Sequence, residues 1–130
     1  LTIMGASDVF TFVPESRDFM EDDAFVARIS VKICTEQQLF ESFFRLLAFP
    51  EYFGFNWNAL FDCLRDFHWI YERGIVIVHD ELPELSDVEM RIYFEILHDA
   101  VVDWKPGEAH SLKVVFNNRD RARVEAACEL

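Results

Sequence analysis

Cationic residues are scarce in this chain. Only 12 Lys and Arg stand against 24 Asp and Glu, a formal net charge of −12 over 130 residues. Phosphate binding relies on Lys and Arg, so a surface this acidic repels nucleic acid and anionic membranes and excludes both as direct partners. It would instead attract a basic protein and raise its association rate, although acidity also keeps an aromatic-rich chain soluble. Glycine and proline number 4 each, and with 52% apolar residues this speaks against disorder. Apolar runs are short and interrupted by charge, so none spans a bilayer. No basic stretch followed by an apolar one opens the chain, so a secretory signal is not expected. The three cysteines, Cys34, Cys63 and Cys128, are odd in number and widely spaced in apolar surroundings. They fit core thiols of a reducing cytoplasm rather than disulfides or metal ligands. GxSxG, HExxH, P-loop and GxGxxG motifs are all lacking, and no serine sits in a nucleophile-elbow context. Neither an enzyme nor a cofactor is indicated.

What is present is enough apolar sequence for one domain with a substantial core, spanning residues 1–130. Residues 9–13 (VFTFV) have strand composition, end at Pro14 and precede an acidic loop; whether this strand joins a main sheet is not decided by the pattern. Residues 27–33 (ARISVKI) alternate, with Ile29, Val31 and Ile33 on one face of a strand. Thr35 and Gln38 form a capping box that opens a helix through Leu47, before Pro50. Residues 75–78 (IVIV) make a continuous apolar run, as expected for a strand covered on both faces. Ser86 and Glu89 cap a long helix to about Trp104, which Pro106-Gly107 breaks. Residues 112–116 (LKVVF) form a further strand, and Asn118 or Asp120 can cap a final helix through Cys128. Alternating strands and helices argue for an α/β layered domain with parallel pairing.

The segment of most interest is residues 49–69, FPEYFGFNWNALFDCLRDFHW. A proline and a glycine bracket an aromatic turn, and a short helix starts at Asn56. With residues 100° apart, Leu60, Cys63, Leu64 and Phe67 share an apolar arc, whereas Asn58, Asp62 and Arg65 lie opposite, with Phe61 on a flank. That polar face gathers a carboxylate, an amide and a guanidinium beside Tyr52, Phe55, Trp57 and Phe61. Aromatic anchors around a few fixed polar groups are the composition of a protein-binding patch.

Two other constellations compete for a role. His79, with Asp80, Glu81 and Glu84 beyond a predicted strand end, could act as a general base or hold a metal, or could simply solvate a turn. Glu95, Asp99 and Asp103 recur every fourth residue along the long helix. Like charges at that spacing cost about 0.2–0.5 kcal/mol per pair, and Asp103 also opposes the helix dipole. The stripe is either a chance product of an acidic composition or a face turned towards a cationic surface.

Pro50, Glu51, Tyr52, Gly54, Asn56, Ala59, Leu60, Asp62, Cys63 and Leu64, ungapped within residues 50–64, strongly resemble the barstar family of intracellular ribonuclease inhibitors. The order of elements over about residues 25–118 is similar too. The resemblance implies a small parallel sheet of about three strands covered by helices, with the N-terminal strand and the last helix as extensions outside it. It also implies a protein that plugs the active site of a basic ribonuclease or ribonuclease-like toxin, as a monomer or weak dimer. Asp62 would occupy the place of a substrate phosphate. Tyr52, Gly54, Asn56, Trp57, Asn58 and Phe61 would surround it, Arg65, Asp66 and Phe67 would sit at the far rim, and Asp99 and Asp103 would add acidic contacts. This chain departs from the family's best-known member in carrying Asn58 in place of a second acid, Phe61 in place of a Trp, and Arg65 and Asp66 in place of small residues. A non-inhibitory interaction module on the same fold is the alternative these departures keep open.

Overall fold

The computed structural model describes residues 5–128. In chain order it forms α1 (Ala6–Val9), β1 (Thr11–Val13), a 3-10 turn (Ser16–Asp18), β2 (Ala24–Ile29), α2 (Glu36–Leu46), α3 (Trp57–Leu64), β3 (Gly74–His79), α4 (Asp87–Asp103), β4 (Ser111–Asn117), a second 3-10 turn (Asn118–Asp120) and α5 (Arg121–Cys128). Among the described residues the sheet has four strands in the order β1-β4-β3-β2, all parallel. The expectation of about three strands is therefore corrected. Residues 11–13 pair with β4, Thr11 opposite Val115 and Val13 opposite Asn117, while Val9 ends a short helix instead of starting the strand.

Both faces of the sheet are covered, as the unbroken IVIV run of β3 requires. Ile75 and Ile77 join Ala27, Ile29, Leu112, Val114 and Phe116 in the main core beneath the helices. Val76, Val78 and Val115 form a second cluster on the other face, packed against Val13, Phe19 and Val26. The segment after β1 thus supplies the second cover.

Strand β2 lies three to four residues earlier than the alternation of residues 27–33 suggests. The Ile29 carbonyl accepts the amides of Asp80 and Glu81, both at 3.0 Å, which ends the ladder there. Val31 then points to solvent, 54% exposed, and Ile33 reaches the core from a loop. The caps at Thr35 and Ser86 are as the sequence indicates, with one variation, whereas Asn118 and Asp120 lie in the 3-10 turn that leads into α5. The Thr35 hydroxyl accepts from the Gln38 amide, but the Gln38 side chain accepts from the Cys34 amide rather than that of Thr35. Ser86 and Glu89 make a complete capping box, and the Glu89 carboxyl is held below its usual range mainly by its hydrogen bonds to Ser86.

Candidate functional site

Helix α3 is fixed at its start by Asn56. That residue is extended, and its side-chain oxygen accepts from the Ala59 amide at 2.8 Å while its Nδ2 donates to the Gly54 carbonyl at 3.1 Å. A Cβ at Gly54 would stand 3.0 Å from Asn56 Nδ2, a tight contact that the capping side chain would have to yield to by a few tenths of an ångström. Phe55, at φ 51°, takes the left-handed conformation that folds the turn back, and its ring packs on Phe44 and Phe53. The aromatic loop is therefore a rigid mount for the helix.

The far end is equally constrained. The Trp104 indole donates to the Leu64 carbonyl at 3.0 Å, satisfying a helix-terminal acceptor from α4. Trp69 does the same for Leu47 at the end of α2, and Trp57 donates to Glu36 in the first turn of α2. All three tryptophans thus tie helix ends together. Burial of Leu60, Cys63 and Leu64 seats α3 on the core. Burial, then the Asp66 and Asp62 carboxylates, push the Cys63 thiol up to about 11, so it stays protonated and inert.

With those contacts made, the remaining face of α3 looks outward. Asn58 and Asp62 are exposed, Phe61 is half-buried, and the Asp62 carboxylate itself is 76% exposed. Helix α4 runs alongside and brings Asp103 to the same surface. Arg65 lies between them: its guanidinium is 3.4 Å from Asp62, 3.8 Å from Asp103 and 4.0 Å above the Phe61 ring. Asp99 and Glu95 continue the exposed stripe along α4, with Asp99 3.2 Å from His98 Nδ1. Tyr52 is 70% exposed. Asp66 is exposed and holds His68 at 2.9 Å. Trp57 is half-buried with its ring edge against Phe40, so only part of it is presented.

Phe67 does not belong to this surface. Its φ of 53° turns the chain inward after α3, and its fully buried ring packs with Trp69, Trp104 and His110. The expectation that it forms a rim contact is corrected; its place on the apolar arc of the helix pattern describes it better.

The constellation around His79 is structural in the same way. His79 is fully buried, stacked on Phe116, with Nε2 2.6 Å from the Tyr93 hydroxyl and Nδ1 3.2 Å from the Val115 carbonyl. The carbonyl can only accept, so Nδ1 carries the proton and Tyr93 donates to Nε2. Burial pulls the imidazole down to about 4 and raises the Tyr93 phenol well above its ordinary value. Asp80 is also buried. It accepts from the Ser16 hydroxyl at 2.8 Å and the Ser30 hydroxyl at 2.9 Å, with Arg28 at 3.6 Å. Glu81 and Glu84 are exposed and face Arg17 and Lys32 instead. Among the described residues no group of three or more His, Cys, Asp or Glu is placed to hold a metal ion. No helix among them is long and apolar enough to cross a membrane.

Sequence reasoning missed the docking roles of Trp69 and Trp104, and the closing of Arg65 onto two carboxylates. The first had no signal beyond apolar residues near helix ends. The second was half visible, since Arg65 lies one turn after Asp62, but its second partner comes from α4, 38 positions away in the sequence.

Neither a curated protein nor a solved structure matches this chain. The family described as Barstar (barnase inhibitor) matches it over residues 24–124, from the first residue of β2 into α5. That match reaches further than residue 118 and takes in the first half of the last helix, so α5 begins inside the family match instead of lying wholly outside it. With the turn, the short helix and the acidic long helix placed as described, the chain belongs to the Barstar family.

Proposed function

We propose that this protein is an inhibitor that binds one-to-one in the active site of a basic ribonuclease or ribonuclease-like toxin, carrying no chemistry of its own. The observation that carries this reading is the presentation of Asp62, a mostly exposed carboxylate on a rigidly mounted helix, next to the half-buried Phe61 and linked through Arg65 to Asp103 on the same surface. A carboxylate so placed can sit where an RNA phosphate would, meeting the cations that a phosphate-cleaving site must hold. Asp103 and Asp99 enlarge the negative field and speed encounter with a cationic partner. Gly54 and Asn56 act by holding the helix start, and Asn58 and Asp66 border the carboxylate. Thiols rather than disulfides at Cys34 and Cys63 suit action in a reducing cytoplasm.

The experiment is capture of the products of neighbouring genes on the immobilised chain, followed by an RNA-cleavage assay with and without it. A basic nuclease retained and silenced at equimolar inhibitor is the expected result. A retained partner that cleaves RNA undiminished at saturation would replace inhibition by a non-inhibitory interaction module.

A further inference from the structure

Arg65 is the cation closest to Asp62 among the ion pairs of the site, and it is oriented by three groups at once. One nitrogen of its guanidinium faces Asp62, the other faces Asp103 from the neighbouring helix, and the plane covers Phe61. A guanidinium clamped between two carboxylates over an aromatic ring is what a partner's arginine would look like if it docked on this face. Here the chain supplies that arginine itself. At 3.4 and 3.8 Å the two contacts are long, so they hold the side chain across the acids without locking it.

We propose that Arg65 sets which partner this site accepts: its guanidinium fills the position of a partner cation, so that a site lined by cations throughout is disfavoured. The proposal rests on the inhibitor reading above and adds the residue that controls selectivity. A cationic partner has either to displace Arg65 from Asp62 and Asp103 or to bring its own charge beside it. Both oppose binding, and like charges brought together at a contact are a recognised means of rejecting a partner. Removing the guanidinium frees Asp62 and Asp103 together and leaves α3 in place, because the end of that helix is held by the Trp104 indole and by backbone bonds.

The test uses barnase, the ribonuclease in the family's description, as probe. Its affinity and association rate are measured for the native chain, Arg65→Ala, Arg65→Gln, Asp62→Ala, the Asp62→Ala/Arg65→Ala double variant, and Arg123→Ala. Arg123 is exposed on α5 and changes net charge equally away from the site. Both Arg65 variants are expected to bind about tenfold more tightly than the native chain, about 1.4 kcal/mol. Arg123→Ala should stay within about twofold, since a distant exposed charge is screened. The double variant should lose the gain. Arg65→Ala no tighter than native, an equal gain from Arg123→Ala, or no binding by any variant overturns the proposal. If Asp62→Ala weakens binding while Arg65→Ala does not strengthen it, the inhibitory surface stands and the selectivity role falls. If Asp62→Ala changes nothing in either background, the reading of the surface falls and the role of Arg65 falls with it.

Discussion

Acidification from neutral pH should destabilise this fold through the buried His79. In an unfolded chain histidine titrates near 6.5, whereas burial against Phe116 and Tyr93 lowers His79 to about 4 in the folded protein. Between those values the unfolded chain holds a proton that the folded one does not. The stability this neutral imidazole supports is therefore complete above pH 6.5 and is lost as pH falls towards 4. Going from pH 7 to pH 5 should remove about 2 kcal/mol, and the full separation is worth about 3 kcal/mol. The ring is wholly buried, so solvent screening does not reduce these figures. Urea unfolding followed by tryptophan fluorescence at pH 7, 6 and 5 measures the slope. His79→Gln, which retains a donor and an acceptor but does not titrate, isolates the contribution by flattening it. An identical slope in His79→Gln, or a folded-state imidazole titrating near 6.5 by NMR, would refute the burial and tautomer assigned to His79 and reopen it as a candidate base or ligand.

Three further outcomes concern the scaffold. Phe67→Ala should cost about 3–5 kcal/mol in denaturant unfolding, as expected for emptying a fully buried aromatic site; a cost below about 1 kcal/mol would return Phe67 to the surface. Trp104→Phe keeps the ring stacking on Phe67 but removes the donor to Leu64, so stability should fall by about 1 kcal/mol, with faster amide exchange at the end of α3. Ser16→Ala leaves the buried Asp80 carboxylate short of a donor, and a loss of about 1–3 kcal/mol on thermal or urea unfolding is expected; an unchanged midpoint would mean that the segment after β1 does not brace the sheet.

Much of this molecule is local in sequence and therefore legible there. The caps at Thr35, Asn56 and Ser86 involve partners three residues on, and the apolar arc of α3 follows from helical period alone. The doubly covered strand β3 shows as a continuous apolar run. Long-range partners were hidden. Residues 11–13 join the sheet through a strand about 100 positions later, and no periodicity encodes that pairing. The alternation of residues 27–33 was misleading, because Val31 has strand character but follows a ladder already closed by Asp80 and Glu81. His79 and Asp80 had the composition of a site and the surroundings of a core, and only burial separates the two. At the proposed interface, Asp62 was readable from spacing and resemblance, but the bridge from Arg65 to Asp103 depends on how α3 and α4 pack.

The most direct measurement is titration calorimetry of the captured ribonuclease partner with the native chain and with Asp62→Ala, alongside circular dichroism of both. Asp62 is mostly exposed and its nearest ion pair is 3.4 Å long, so its removal should leave the fold unaltered. A central carboxylate facing the partner's cations should nevertheless cost roughly 2 kcal/mol or more, about thirtyfold in affinity. Equal affinity of the two proteins, with superimposable spectra, would contradict the account.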